Sequence, residues 1–265
     1  MTINTAQLQE LAKEVRRDVV TMINKAGSGH PAGSLGMVEI LVSLYFGILK
    51  KDEDKLVVSN GHVCPALYSV MAHAGYFPTS ELLTYAKLGS RLQSHPERTR
   101  LPGIETTSGP LGCGLSQGVG MALAFNLDKK PNRVYVTASD GEHDEGNHWE
   151  AVLLANKYKL TNLILMVDRN SIQIDGTVEE VLPLGDLKTK YEAFGWNTLE
   201  IDGHDFSAIA EAVKGEGPLA VICKTIAGKG VSFVENRSEW HAKPLDDEEL
   251  KLALSELGIT KSASG

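Results

Sequence analysis

The sequence has 265 residues, 42% of them hydrophobic, with a formal net charge of −8 and a pI near 5.5. That length and apolar content suit a large α/β domain with a real core. An acidic balance without any Lys/Arg cluster excludes a nucleic-acid footprint, and no stretch approaches the roughly 18 apolar residues of a membrane span.

From the N-terminus, apolar residues at near-helical spacing predict a helix over Leu8 to Asn24, ending before Gly27-Ser28-Gly29. The start, MTINTAQLQELAKEVRRD, lacks the apolar region of a signal peptide, so a cytoplasmic protein is expected. GSGHPAGSLG reads as a loop, followed by helical patterns over Met37 to Leu49, Ala66 to Ala74, Ser80 to Leu88 and Leu115 to Asn126. From residue 133 the texture changes to short β-branched runs alternating with helical ones. Strands are predicted at Val134 to Ala138, Leu163 to Val167, Trp196 to Ile201 and Leu219 to Ile226, with helices at Trp149 to Tyr158, Leu187 to Phe194 and Phe206 to Val213. This alternation implies βαβ units and a mainly parallel sheet with helices on both faces. A single domain over 1–265 is expected, with a helical N-terminal half and a frayed polar tail, KSASG. Cys64, Cys113 and Cys223 are too few and too scattered for a disulfide framework or a zinc site.

In open α/β sheets ligands sit at the carboxyl ends of the strands, so polar residues directly after an apolar run carry weight. Asp140 follows the run from Val134, and Asp168 and Asn170 follow the run from Leu163. The two strand ends can therefore meet, although thirty positions separate Asp140 from Asn170. A carboxylate, an amide oxygen and a backbone carbonyl are hard ligands suited to Mg²⁺ or Ca²⁺. Gly141 allows a close backbone approach, and a helix beginning near Asn147 would bring its positive end to the same region. Together they point to a metal-bridged diphosphate, whereas an isolated Asp-Gly pair is more often a plain turn. EF-hand, Walker, H-E-x-x-H and G-x-S-x-G patterns all fail on spacing.

The pairing of DGEHDEG at 140–146 with NSIQIDG at 170–176 resembles the thiamin-diphosphate signature of transketolases. SGHPAGSLGM (28–37), SNGHVCPALYSV (59–70), GIETTSGPLGCGLSQGVGMA (103–122) and KTIAGKG (224–230) resemble transketolase blocks in the same order, so the likeness spans nearly the whole chain. It implies a thiamin-diphosphate-binding fold, the diphosphate-binding domain, with Asp140, the Asn170 side chain and the Ile172 carbonyl as metal ligands. It further places Gly141 and His62 at the diphosphate, and Gly109, Pro110, Leu111 and Gly112 beside the cofactor rings. His30, His95 and His241 match the histidines of the substrate channel, and Glu145 an acid at a subunit interface that couples two active sites. Ser139 stands where the family usually has Gly, and Arg169 where it usually has Asn.

The activity so implied is transfer of a two-carbon ketol unit from a ketose phosphate to an aldose phosphate. The cofactor supplies a carbanion equivalent that no side chain can provide, and histidines move protons at the sugar oxygens. The family's pyrimidine-binding and C-terminal domains have no counterpart before Gly265, so the expectation is the N-terminal subunit of a split enzyme, inactive without a separate C-terminal chain and assembled as a heterotetramer. A related thiamin enzyme, such as one making deoxyxylulose phosphate, and a non-catalytic Mg²⁺-diphosphate binding module are the alternatives.

Overall fold

The computed structural model describes residues 4–258, so the predicted frayed tail lies outside the described residues. In chain order the helices are α1 Thr5–Ala26, α2 Pro31–Gly36, α3 Val38–Ser43, α4 Cys64–His73, α5 Cys113–Leu127, α6 Gly146–Lys157, α7 Val178–Val181, α8 Leu187–Ala193, α9 Phe206–Ala212 and α10 Asp247–Glu256. The strands are β1 Lys55–Val58, β2 Val134–Ser139, β3 Leu163–Arg169, β4 Ile172–Gln173, β5 Gly176–Thr177, β6 Asn197–Asp202 and β7 Leu219–Lys224. Five of the strands form one sheet in the order β1-β2-β3-β7-β6, every pair parallel. β4 and β5 make a small antiparallel hairpin just beyond β3.

A parallel sheet must hide both faces, and β2, β3 and β7 do so with apolar side chains on each side. Tyr135, Ile164, Met166 and Val221 face a core shared with α1, α3 and α4, while Val134, Val136, Leu163 and Leu165 face one shared with α5, α6 and α8. The register Ser139↔Asp168 extends the β2–β3 ladder to the first polar residues and brings the two strand ends side by side.

Several expectations are corrected. The segment read as the loop GSGHPAGSLG contains α2, which starts at Pro31 and is wholly buried. Gly33 and Gly36 lower its helix propensity, but a side chain at either would press on His62 or the Ile226 carbonyl, so close packing decides the conformation. The pattern Met37 to Leu49 splits into α3 and a π turn, Leu44–Ile48. Ser80 to Leu88 forms a 3₁₀ stretch, Thr79–Thr84, and then turns, with Ala86 and Gly89 at positive φ. Strands β1, β4 and β5 and helices α7 and α10 have no counterpart among the predicted elements.

Candidate functional site

The carboxyl edge of β2 and β3 opens into a cavity of about 150 Å³ lined by Gly33, His62, Leu111, Ser139, Asp140, Gly141, Asn170, Ile172, Gln173, Ile174, Asp175 and His241. The two loops on which the metal reading depends therefore share one wall. Asp140 begins a 3₁₀ turn, Asp140–Asp144, and is 1% exposed. Its Oδ1 accepts the Gly141 N–H at 2.9 Å, and its Oδ2 accepts the Ser171 N–H at 2.7 Å and Arg169 Nη1 at 3.1 Å. Burial pushes its pKa up, against the pull of those donors and the guanidinium charge. Asn170 accepts the Ile172 N–H on Oδ1 at 3.0 Å and donates from Nδ2 to Asp168 Oδ2 at 2.8 Å.

Beneath this wall lies Glu142, fully buried, accepting from the Ser59 hydroxyl, from the Gly112 N–H at 2.8 Å and from the Ser139 N–H at 3.1 Å. One carboxylate thus ties the end of β1, the 109–114 segment and the acidic turn together, which explains part of the acidic run after β2. Burial raises the pKa of Glu142 as well. His143 anchors the same turn: its Nδ1 donates to the Asp140 carbonyl at 2.9 Å, leaving Nε2 to accept the Tyr191 hydroxyl at 2.8 Å. The Tyr191 oxygen in turn meets His148 Nε2 at 2.7 Å.

Four histidines gather on one side. His30 has ring centroids of His241, His62 and His95 at 5.4, 5.5 and 5.9 Å, and His62 lies 5.4 Å from His241. Burial, then the neighbouring imidazoles His241 and His95, lower the pKa of His30 to about 4; burial alone lowers His95 and His241, and burial leads the lowering of His62. All four are neutral at pH 7, each with a donor and an acceptor nitrogen. The Nδ1 of His30 is buried without a hydrogen-bond partner, as expected of a group whose partner is a ligand. Among the described residues no three His, Cys, Asp or Glu are grouped to hold a metal.

Leu111 lines the cavity, whereas Pro110 is exposed, and Gly109, at φ 145°, packs beside the His95 ring. Gly112, at φ 74°, leads into α5, and a Cβ there would fall 2.6 Å from the Cβ of Glu145. Glu145 itself is exposed and outside the cavity. Helix α6 begins at Gly146 with Glu145 at its N-cap position, and the Asn147 amide donates to Cys113 Sγ at 3.3 Å. Sequence reasoning gives no role to the buried groups behind the wall, Glu142 and Thr225, nor to Gln173, Ile174 and Asp175 at the mouth. Asp168 figures there only as a residue at the sheet edge, although a carboxylate closing an otherwise apolar strand is a signal of burial with a purpose.

A cavity walled by carboxylate and amide oxygens at the carboxyl edge of a parallel sheet marks an α/β ligand-binding domain. The chain belongs to the transketolase family: the family model described as transketolase, thiamine diphosphate binding domain, matches residues 7–264. It is 42% identical over 270 residues to a 6-deoxy-6-sulfo-D-fructose transketolase subunit of Clostridium sp. (strain MSTE9), covering 97% of this chain and 98% of that one. It is 39% identical over 264 residues to one of the subunits of the apulose-4-phosphate transketolase of Actinobacillus succinogenes, covering 95% and 96%. The crystal structure of Campylobacter jejuni transketolase superposes with a TM-score of 0.89 at 34% identity, covering 99% of this chain but 44% of that longer one.

Proposed function

We propose that this chain is the N-terminal subunit of a two-chain transketolase, binding thiamin diphosphate through Mg²⁺ and working in the cytoplasm in a heterotetramer with separate C-terminal chains. The observation that carries the reading is the meeting of Asp140, Gly141, Asn170 and Ile172 with His62 and His241 around one cavity. Relatives of matching length named as subunits support the two-chain form.

The residues fit the group. Asp140 and Asn170 offer hard oxygens, as Mg²⁺ requires, with Ile172 beside them for a carbonyl ligand. Among the described residues, of three buried carboxylates, Asp140, Glu142 and Asp168, only Asp140 is in ion-pair contact with a guanidinium, that of Arg169, a deficit that a divalent cation offsets. The cavity is smaller than the roughly 300–1,000 Å³ pockets that enclose whole drug-sized ligands, which suits a site that holds one end of a cofactor.

When bound, thiamin diphosphate supplies the carbanion equivalent that cleaves a carbon–carbon bond next to a carbonyl. Asp140, Asn170 and Ile172 would hold its metal. Gly141 and His62 would hold the diphosphate, and Leu111 would lie beside the rings. His30, His95 and His241, neutral at working pH, pass protons to and from the oxygens of a ketose donor and an aldose acceptor.

The test is to co-express the chain with a neighbouring C-terminal transketolase chain and assay a panel of ketose donors, phosphorylated and sulfonated, with aldose acceptors. Turnover should require both chains, thiamin diphosphate and Mg²⁺. Asp140→Ala should abolish Mg²⁺-dependent cofactor retention measured by calorimetry; retention unchanged by that substitution removes Asp140 from the site. Cofactor binding without turnover of any donor would favour a binding module over an enzyme.

A further inference from the structure

Asp168 is 0% exposed at the end of β3, the strand between β2 and β7. It has no ion-pair partner among the described residues, because Arg169 is directed at Asp140 and Glu179. A buried carboxylate without a cation is costly, so its place needs a reason. Its two oxygens are used separately: Oδ1 accepts the hydroxyl of Thr225, just past β7, and Oδ2 accepts Asn170 Nδ2 at 2.8 Å.

We propose that Asp168, held by Thr225, is a positioning residue that fixes which end of the Asn170 amide faces the cation. The proposal rests on the reading of Asn170 as a metal ligand. A carboxylate can only accept, so it takes the NH₂ end of the amide and turns Oδ1 the other way. The Ile172 N–H, 3.0 Å from Oδ1, requires the same orientation. An amide oxygen has two lone pairs, and one stays free for a metal. With the amide reversed, its oxygen would oppose the carboxylate, its NH₂ would oppose the Ile172 N–H, and its hydrogens would point at the cation. Asp168 also places a negative charge directly behind a metal ligand, as outer-shell carboxylates do elsewhere.

The experiment compares the unmutated chain with D168N, T225V and the exchange D168N/N170D, each co-purified with its partner subunit. The Mg²⁺ concentration that half-saturates thiamin diphosphate binding is read by intrinsic fluorescence, and the melting temperature is read without cofactor. D168N should raise the Mg²⁺ requirement about tenfold or more, T225V should raise it less, and the exchange, which returns an oxygen to position 170 with an amide donor behind it, should recover to within about threefold. A merely structural role would lower the melting temperature without changing the Mg²⁺ requirement, and the exchange would not rescue it; either result overturns the proposal. If D168N does not fold, T225V carries the test, and an unchanged Mg²⁺ requirement in it overturns the proposal. Failure of the unmutated protein to bind thiamin diphosphate with Mg²⁺ instead overturns the reading of the site beneath it.

Discussion

At the scale of single residues, the neutral state of His30 has a measurable consequence. Folded, it takes up a proton only near pH 4; unfolded, near its ordinary value of 6.5. Between those values the unfolded chain binds more protons, so stability is full above about pH 6.5 and declines as pH falls toward 4, by at most about 1.4 kcal/mol per pH unit for one such group. The partial exposure of His30 lowers that ceiling. His30→Asn, which cannot charge, should therefore melt with a shallower dependence on pH between 6.5 and 4 than the unmutated chain; parallel curves would mean that burial of His30 does not contribute. Of the residues legible in the sequence, Asp140 and Asn170 stand at strand ends and His30 and His62 beside Gly, where polarity is conspicuous, whereas His95 and His241, beside Pro96 and Trp240, are singled out only by the family resemblance. Glu142 and Thr225 escape it because they act on other protein groups and leave only their burial as a sign, which no local pattern displays.

At the scale of elements, helices and strands are legible where one period dominates, as in α1, α5 and the cores of β2, β3 and β7. Their functional ends are not: β2 runs on to Ser139 and β3 to Arg169 because ladder pairing continues through polar residues that strand propensity disfavours. β1 is four residues long and hidden between charged and glycine-bearing turns. α10 escapes notice despite a capping box of Asp246 and Glu249. Helix α5 is fixed to the sheet by a glycine contact: a Cβ at Gly118 would stand 2.4 Å from Val136 Cγ2, and Val136 is itself buried. Gly118→Ala gains up to about 1 kcal/mol in helix propensity, but overpacking a stiff core costs about 1–3 kcal/mol. The clash should win. Net destabilisation in urea titration is expected, while net stabilisation would show that α5 can slide outward freely.

For the whole molecule, the surface beyond the cavity carries exposed apolar side chains. α5 and α6 begin side by side at the site, joined by the contact from Asn147 to Cys113, and both lie over the sheet. Away from it they expose Leu127, Leu153 and Leu154, with Tyr158 at the end of α6, respectively 76%, 55%, 41% and 46% accessible. Scattered apolar residues on a surface are ordinary, but several on one packed helix pair are a feature of interfaces. Glu145, exposed at the start of α6 and pressed against Gly112, lies where such an interface would reach the 109–112 segment. The proposed heterotetramer therefore makes a definite demand of this helix pair. A chain carrying both Leu127→Lys and Leu153→Lys places cations in the interface if two copies meet there, and in water if they do not. In the first case sedimentation velocity should show the assembly dissociating at concentrations at least about tenfold higher than for the unmutated complex, a loss of about 1.4 kcal/mol or more. Sedimentation identical to that of the unmutated complex would place the contact between copies elsewhere and detach Glu145 from any coupling between sites.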